Sequence, residues 1–224
     1  RRRHLVKTID FYFDFISPYA YLAFEQLPKA LSSHSYTVRY IPIMFGGLLV
    51  EHGQLGPAEI APKREWTYRQ VLWQAHQMGI DFKMPHSHPF NPTSLLRLSL
   101  ACAPQGLPNR YVVETIFKHI WTTGLEATDA TRLDQLIEQL QPSLDFNSPE
   151  IKNRLKELGQ TALQHQLFGV PSFVVDDKVF WGLDSLPMID AYLKGDEWFE
   201  QDHWESVKKT VYGIAKRSPS FPKN

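Results

Sequence analysis

Hydrophobic and polar positions alternate near the start of the chain and then change period. Between residues 9 and 16 an apolar side chain stands at every second position, which is the spacing of a β-strand. From Tyr19 to Leu31 the apolar residues follow helical spacing instead. Ser17 and Pro18 separate the two patterns; serine is a favourable N-cap, and proline is favourable at the first helical position. The pattern predicts that Ser17 lies where a strand meets the N-terminus of a helix.

Ser17 in this position supports two interpretations. A serine before a proline often does no more than cap its own helix. A hydroxyl at a helix N-terminus is also suited to binding an anion, because unpaired backbone amides and the helix dipole favour negative charge there. This stretch by itself favours simple capping, and the rest of the chain changes the balance.

The remaining pattern predicts further strands on either side of a long helical region. Residues 36–43 alternate as a second strand, and residues 44–56, which are rich in glycine, are expected to form a long loop. Residues 168–181 predict a β-hairpin with its turn at Asp176-Asp177, and a last helix is expected at 185–193. The regions with helical periodicity between these strands are 57–79, 93–103, 108–121, 129–140 and 148–166, interrupted by a proline-containing loop at 84–92.

With the helical block set aside, the elements run strand, helix, strand, hairpin and helix. This order predicts an α/β, thioredoxin-like fold: a four-stranded mixed sheet of βαβ–ββα order with a large all-helical insertion. The expected division is a discontinuous thioredoxin-like domain at 5–57 and 167–195 and a helical insertion domain at 58–166. A C-terminal helical extension at 196–224 follows, and its aromatic side chains are expected to cover the domain or a dimer partner.

Charge and cysteine content bear on the class of function. The 24 basic and 24 acidic residues balance, so neither nucleic acid nor an anionic membrane is expected as a partner. Arg1–Arg3 are expected to be a disordered end. No apolar run reaches the roughly 18 residues of a membrane span.

Cys102 is the single cysteine, which excludes an intrachain disulfide and fits a cytoplasmic location. His86 and His88 have no Cys, Asp or Glu beside them, so no metal site is expected.

Three motifs together carry a resemblance to a known family. They are FYFDFISPYAYLA at residues 11–23, GVPSF at 169–173 and FWGLD at 180–184. The chain resembles the 2-hydroxychromene-2-carboxylate isomerase family, which belongs with the kappa-class glutathione transferases in the DsbA-like branch of the thioredoxin superfamily. The resemblance runs from about Thr8 to Leu193. Disulfide-exchanging relatives carry CxxC where this chain has Ser17-Pro18-Tyr19-Ala20, so residue identity excludes disulfide exchange.

The resemblance implies glutathione as the cofactor, with its thiol at the start of the first helix. Ser17 would approach the glutathione sulfur and stabilise the thiolate, which a hydroxyl at a helix N-terminus is suited to do. The bond before Pro171 is expected to be cis. That geometry would turn the backbone of Val170 outward, so that it pairs with the glutathione peptide like an added strand.

The other contacts implied by the resemblance lie at the two ends of glutathione. Gly182, Leu183 and Asp184 would hold the γ-glutamyl end, with Asp184 accepting its ammonium group. Lys63 would meet a glutathione carboxylate. Alternatives stay open for both charged residues, since Asp184 could cap the last helix and Lys63 could simply be solvated.

Two positions depart from the family pattern in ways that concern glutathione. Leu55 stands where relatives carry an asparagine, and Leu183 stands where relatives carry a polar residue. A neutral hydrogen bond contributes about 0.5–1.5 kcal/mol, so losing two would weaken binding by roughly one to two orders of magnitude.

The reaction implied is a glutathione-dependent, reversible isomerisation in naphthalene-type aromatic catabolism. It interconverts 2-hydroxychromene-2-carboxylate and trans-o-hydroxybenzylidenepyruvate, so the expected partner is a small aromatic carboxylate, and a homodimer is expected. The thiolate would add to the enone, and the double bond, made temporarily single, would rotate before the thiol leaves. The candidate substrate contacts are Tyr19, Phe45, Phe90, Asn91 and Trp121.

Two other functions stay open. The first is a kappa-like glutathione transferase or peroxidase that acts on a different electrophile. The second is a thioredoxin-fold binding protein without catalysis, which the two polar departures favour somewhat. A panel of electrophiles offered with glutathione separates the transferase from the isomerase. Binding of another protein, without binding of any thiol, would indicate the non-catalytic binding protein.

Overall fold

The structure, a computed structural model, describes residues 6–214. The expectation for Arg1–Arg3 therefore falls outside the described residues. Within residues 6–214, no helix combines the length and the apolar character needed to cross a membrane.

Four strands form one mixed sheet: β1 (Lys7–Phe13), β2 (Tyr36–Pro42), β3 (Ser172–Val175) and β4 (Lys178–Trp181). Their order in the sheet is β2-β1-β3-β4. Strand β1 pairs parallel with β2 and antiparallel with β3, and β3 pairs antiparallel with β4. Asp176 and Asp177 both have positive φ, as a tight hairpin turn requires. The predicted four-stranded thioredoxin-like sheet is confirmed.

The helices surround this sheet and follow the predicted periodic segments, with one addition. The two longest, Ala61–Met78 and Pro149–Gln164, lie in the region predicted to be helical. Short 3-10 turns occur at Pro57–Glu59, Leu183–Ser185, Glu197–Phe199 and Val207–Lys209. The helices are α1 (Pro18–Ala30), α2 (Phe45–His52), α3 (Ala61–Met78), α4 (Thr93–Ala101), α5 (Arg110–Trp121), α6 (Ala130–Leu140), α7 (Pro149–Gln164), α8 (Leu186–Leu193) and α9 (His203–Ser206).

The addition is α2, so the prediction of a loop throughout residues 44–56 is wrong. Gly46 and Gly47 lower helix propensity, which is why the segment looks like a loop in the sequence. The helix begins where a carboxylate oxygen of Asp14 accepts the backbone N–H of Phe45 at 2.8 Å, and the two residues are 31 positions apart. It ends at Gly53, whose φ of 62° is left-handed. A distant side chain therefore supplies the start of this helix.

The alternation in β1 does not separate a buried face from an exposed one. Phe11 and Phe13 are fully buried on one face, yet Tyr12 on the other face is only 1 % exposed. Tyr12 packs with Ile41 and with residues of α2 and α7, which cover that second face. Strand β1 is therefore an inner strand buried on both sides.

One aromatic cluster joins the sheet to the helical block. The ring of Phe117, on α5, lies 5.4 Å from that of Phe13, 5.0 Å from that of Phe15 and 5.3 Å from that of Phe24. All four side chains are buried in the same core cluster. The division at 5–57, 167–195 and 58–166 stays a prediction, and the two predicted parts share this core.

The segment after α8 forms short helical turns as far as Lys209 and is irregular from 210 to 214, so it is not a continuous helical extension. Two of its aromatic residues cover the domain, because the ring of Trp204 lies 5.3 Å from that of Phe180 and the ring of Phe199 lies 5.1 Å from that of Tyr192. Trp198 and Tyr212 are exposed. Residues 215–224 of the predicted extension lie outside the described residues.

Candidate functional site

The N-terminus of α1 has the predicted geometry. Ser17 is the N-cap, with extended backbone, and its Oγ accepts the N–H of Ala20 at 3.1 Å. Pro18 is the first helical residue. A serine hydroxyl that accepts one hydrogen bond still has its own proton to donate. Ser17 therefore caps its helix and keeps a donor, so the two interpretations of this residue are compatible.

A cavity of about 320 Å³ opens beside Ser17. Its walls come from the end of β1, the start of α1, α2, α3 and the loop before α4, and they are mainly apolar. Met44, Phe45 and Leu49 are among the apolar residues that line it. A cavity of this size and character is suited to one small ligand. Since Ser17 lies on its wall, the hydroxyl can reach a bound molecule.

Tyr68 and His88 form a hydrogen-bonded pair on the same wall. The Tyr68 hydroxyl lies 2.6 Å from Nδ1 of His88 and 3.0 Å from the His88 carbonyl oxygen. Nε2 of His88 lies 2.7 Å from the carbonyl oxygen of Ile16. A carbonyl can only accept, so Nε2 carries the ring proton and Nδ1 has a free electron pair. The imidazole is thus tied to the residue that directly precedes Ser17.

Burial lowers the pKa of His88, and the hydrogen bond to Ile16 opposes this only in part. The ring packs against those of Trp121 and Phe90, at centroid distances of 5.5 and 5.9 Å. These neighbours carry no charge that would stabilise an imidazolium. His88 is therefore a neutral base at neutral pH.

Asp14 lies beneath the same site and is 1 % exposed. Its carboxylate accepts the backbone N–H groups of Phe45 at 2.8 Å and of Ile16 at 3.2 Å. Those amides favour the ionised form, but burial outweighs them and raises the pKa of Asp14 from 3.8 to about 7. Asp14 joins the end of β1, the start of α1 and the start of α2, and so fixes the position of the cavity walls.

Tyr19 lies on the cavity wall, and its hydroxyl is hydrogen-bonded to the side chain of Gln70. Burial raises the pKa of Tyr19, and the negative charge of Asp184 adds to the rise. Tyr19 is therefore a protonated phenol near neutral pH. Because the charge of Asp184 affects the pKa of Tyr19, the cavity and the segment after the hairpin are electrostatically coupled.

The segment before β3 forms a second edge of the site. The Val170–Pro171 peptide bond is cis, as the resemblance implies. Val170 lines the cavity, and among residues 6–214 its backbone N–H and C=O make no backbone hydrogen bond. Pro171 is turned the other way, since its carbonyl accepts the N–H of Gly182 at 2.9 Å. The Val170 peptide groups are thus free to pair with an extended ligand.

Gly182 and Asp184 lie beside this edge in close contact with each other. A Cβ on Gly182 would lie 2.6 Å from Oδ1 of Asp184, and Gly182 has a φ of 95°, so only glycine fits. Asp184 is exposed and precedes α8 within a 3-10 turn. Its side chain makes no capping hydrogen bond to α8, whose N-cap is Ser185. The capping alternative for Asp184 is therefore wrong.

The side chain of Leu183 points into the core, where it is 6 % exposed, so only its backbone can meet a ligand. Leu55 is 64 % exposed. Lys63 is exposed in the first turn of α3 and does not line the cavity, so its contact with glutathione stays a prediction.

The predicted substrate residues occupy different environments. Phe45 lines the cavity, as Tyr19 does. Trp121 is fully buried, and its Nε1 donates to the carbonyl oxygen of Phe15 at 3.0 Å, so it supports the core and does not form a pocket wall. Phe90 packs behind His88, away from the cavity. The side-chain oxygen of Asn91 accepts from the N–H and hydroxyl of Thr93 at the start of α4.

Three site residues were missed from the sequence: Asp14, Tyr68 and His88. His88 was considered only as a metal ligand, and among residues 6–214 there is no cluster of three or more potential ligands. Asp14 lies in the same strand-to-helix pattern as Ser17. A carboxylate three residues before the N-cap was therefore the one feature of the sequence that pointed to it. Tyr68 lies on a predicted helix, and nothing in the sequence marks which face of that helix meets the site.

Comparisons with known proteins show the family to which the chain belongs. The model of the family described as "DSBA-like thioredoxin domain" matches residues 8–194. A 2-hydroxychromene-2-carboxylate isomerase of Sphingobium xenophagum is 28% identical over 205 residues, which cover 84% of this chain and 99% of the relative. Glutathione S-transferase kappa 2 of Caenorhabditis elegans is 24% identical over 207 residues, covering 84% of this chain and 92% of the relative.

A solved structure also supports the fold. The structure of selenomethionine-substituted 2-hydroxychromene-2-carboxylate isomerase matches with a TM-score of 0.73 at 22% identity, and it covers 91% of this chain and 100% of that chain. The predicted DsbA-like thioredoxin fold is confirmed.

Proposed function

The chain belongs to the family of DSBA-like thioredoxin domains, and we propose that it is a glutathione-dependent isomerase within that family. The proposed reaction interconverts 2-hydroxychromene-2-carboxylate and trans-o-hydroxybenzylidenepyruvate. The observation that carries the proposal is the Ser17 hydroxyl, which stands at the N-terminus of α1 on the wall of an apolar cavity. Similarity to the Sphingobium xenophagum isomerase over most of both chains supports this choice of reaction.

The residues beside the cavity fit glutathione. Ser17 can donate a hydrogen bond to the sulfur, and the unpaired peptide groups of Val170 can pair with the ligand backbone as an added strand does. Asp184 is an exposed carboxylate that can accept the glutamyl ammonium, and Lys63 is an exposed cation for a carboxylate. Leu183 can contribute through its backbone.

Bound glutathione would supply a nucleophilic sulfur that adds to the enone and makes its double bond temporarily single. Ser17 would favour the ionised form of that sulfur, because both its hydroxyl and the helix dipole stabilise negative charge. Met44 and Phe45 would hold the aromatic ring of the substrate against the cavity wall. The apolar walls would exclude water, which strengthens the Ser17 hydrogen bond.

A specific observation favours a second candidate, a kappa-like glutathione transferase that acts on an uncharged electrophile. Among residues 6–214, no lysine or arginine lines the cavity, and its ionisable side chains include the carboxyl groups of Asp14 and Glu59. A carboxylate substrate would have to keep its charge near the cavity mouth. An uncharged aromatic electrophile would have no such constraint.

The test is calorimetric titration with reduced glutathione, followed by a spectrophotometric isomerase assay. Binding in the micromolar to low-millimolar range together with isomerase turnover is the expected result. Binding without isomerase turnover, but with conjugation of uncharged electrophiles from a panel, would replace the isomerase with the transferase. An absence of heat at several millimolar glutathione would overturn both and leave a binding protein of another kind.

A further inference from the structure

The Tyr68–His88 pair has no role in the function proposed so far. It lines the same cavity as Ser17, and the imidazole is anchored to the carbonyl oxygen of Ile16 at 2.7 Å. That anchor leaves the electron pair of Nδ1 directed at the Tyr68 hydroxyl, 2.6 Å away. A tyrosine hydroxyl that can donate to a neutral imidazole while accepting from a ligand is arranged to pass on a proton.

We propose that Tyr68 and His88 form a proton relay, which takes up the thiol proton of bound glutathione and later returns it. Tyr68 is the catalytic residue of this relay because its oxygen would touch the ligand, and His88 is the positioning and proton-holding residue behind it. The inference rests on the proposed function, since it requires a thiol ligand. The proton uptake is the same in the transferase, but there the sulfur ends as a thioether, so the proton passes to the departing group or to the adduct and does not return to the sulfur.

The transfer balances within the chain and its ligand. Tyr68 Oη gains a proton from the sulfhydryl group while the original Tyr68 hydroxyl proton moves to Nδ1 of His88. His88 becomes an imidazolium, the ligand carries one more negative charge, and the total charge is unchanged. No oxidant, reductant or further reactant takes part. In the isomerase, the reverse transfer returns the proton through Tyr68 to the glutathione thiolate that leaves the isomerised product.

The surroundings of His88 suit a proton acceptor that is unprotonated before the ligand binds. Burial lowers its pKa, so the ring is neutral before the ligand binds. Trp121, from α5, and Phe90, from the loop before α4, pack on it without charge. Burial raises the pKa of Tyr68, and the nearby charge of Arg64 on α3 partly offsets that rise. The other titratable groups on the cavity wall are Asp14, Tyr19 and Glu59.

The position of the Tyr68–His88 pair also explains why Ser17 alone is not sufficient. A hydroxyl that donates to a sulfur stabilises the anion but cannot accept the proton that the thiol releases. In an apolar cavity there is little water to take that proton. A base on the cavity wall, held one residue from Ser17 by the Ile16 carbonyl, supplies the missing acceptor.

The relay can be removed without removing the packing. Tyr68→Phe keeps the ring that lies edge-on to His88 at 5.3 Å and removes only the hydroxyl. His88→Gln keeps a side-chain N–H for the Ile16 carbonyl, but an amide cannot take up a proton. Tyr111→Phe is the matched control, since Tyr111 is an exposed tyrosine on α5 that does not line this cavity.

The experiment measures the ultraviolet absorbance of the thiolate in glutathione-saturated protein as a function of pH. We expect the midpoint of thiolate formation in Tyr68→Phe and His88→Gln to lie about one pH unit or more above that of the wild type. Turnover should fall about 10²-fold, while the calorimetric Kd of glutathione stays within about threefold. Tyr111→Phe should match the wild type in all three.

The possible results separate the relay from the proposed function. Wild-type protein that binds glutathione as a thiolate, with the same midpoint in Tyr68→Phe and His88→Gln, would overturn the relay and leave the proposed function standing. Wild-type protein that binds no glutathione would overturn the proposed function and the relay together. A higher midpoint in both variants, with Kd maintained, would support both.

Discussion

Two cavities within residues 6–214 each contain a partly buried histidine, and only one of these two cavities is suited to chemistry. The larger is a groove of about 420 Å³ between α5 and α6 that contains His119. The smaller, of about 320 Å³, lies beside Ser17 and contains His88. Burial lowers the pKa of both histidines, and Nε2 of each faces a backbone carbonyl oxygen: that of Ala127 at 2.8 Å for His119, and that of Ile16 for His88.

The difference lies at the second ring nitrogen. Nδ1 of His119 faces the guanidinium of Arg132 at 3.2 Å, and the same guanidinium nitrogen donates to the His119 carbonyl oxygen at 2.6 Å. Arginine does not give up its proton, so this contact holds the imidazole in place and blocks proton uptake. Nδ1 of His88 faces a hydroxyl, through which a proton can pass. The partner of the ring, and not the size of the cavity, distinguishes a candidate catalytic histidine from a structural one.

The largest effect expected at the smaller cavity is that of Ser17→Ala. Removing a hydrogen-bond donor to a developing anion typically lowers turnover about 10²–10³-fold, and we expect that loss here with a much smaller change in glutathione affinity. Steady-state kinetics and calorimetry measure the two quantities. Thr115→Ala, which removes a hydroxyl from the larger groove, should leave both unchanged.

Ser17 also caps α1, so the variant needs a control for lost stability. Ser148 is the N-cap of α7, and its hydroxyl accepts the N–H of Ile151. Ser148→Ala should cost about 1 kcal/mol of stability, as Ser17→Ala should, yet retain full turnover. An equal loss of turnover in the two cap variants, or equal losses of affinity and turnover in Ser17→Ala, would contradict the role of Ser17.

The success of the sequence at Ser17 and its failure at His88 have a physical basis. The strand alternation, the N-cap and the proline at the first helical position are all local, so the α1 terminus and most of the fold follow from short windows. The start of α2 depends on the Asp14 carboxylate 31 residues earlier, and no local pattern contains that hydrogen bond. Gly46 and Gly47 therefore indicated a loop.

The Tyr68–His88 pair depends on tertiary contacts in the same way. Its members are 20 residues apart, one on α3 and the other in a proline-containing loop. The imidazole is held there by packing against Trp121 and Phe90 and by its hydrogen bond to the Ile16 carbonyl oxygen. The same packing explains why Trp121 was wrongly expected to line the pocket. Aromatic content is visible in a sequence, but which face of a buried ring meets a cavity is not.

The second prediction concerns Asp14, a buried carboxyl that has no counterpart in the larger groove. Its pKa is raised from 3.8 to about 7 in the folded chain, so between about pH 4 and pH 7 the folded state binds a proton that the unfolded state has released. Its contribution to stability is therefore present at low pH and is lost as the pH rises through 7. Urea unfolding of wild type and Asp14→Asn at pH 5 and pH 8 measures this loss.

Asparagine cannot ionise, so the stability of the wild type relative to Asp14→Asn should fall by a few kcal/mol between pH 5 and pH 8. Glu114→Gln, which alters a partly exposed carboxylate of the larger groove, should show no comparable change. A difference between wild type and Asp14→Asn that stays constant or grows with pH would contradict the raised pKa.

The third prediction compares the two histidines directly. Negative charge placed next to the Tyr68 hydroxyl should stabilise the imidazolium form of His88, so saturating glutathione should raise its pKa by about half a unit or more. The pKa of His119 should not change, because its ring lines the other cavity and its Nδ1 faces the guanidinium of Arg132 instead of the Tyr68 hydroxyl. Titration of the imidazole proton signals by NMR, assigned with His88→Gln and His119→Gln, measures both. Equal shifts of the two histidines would remove the distinction between the cavities.

The smallest effect is expected at Lys63, which is exposed at the start of α3 and lies outside the cavity lining. An exposed ion pair contributes little, so Lys63→Ala should weaken glutathione binding only about two- to fivefold and leave kcat unchanged. Lys118, in the larger groove, is already paired with Glu114 at 2.9 Å, so Lys118→Ala should have no effect on binding. Because salt screens exposed charges, the Lys63→Ala effect should shrink toward zero near 1 M salt. An effect that persists at high salt, or one matched by Lys118→Ala, would show that Lys63 does not act as an exposed electrostatic contact to the ligand.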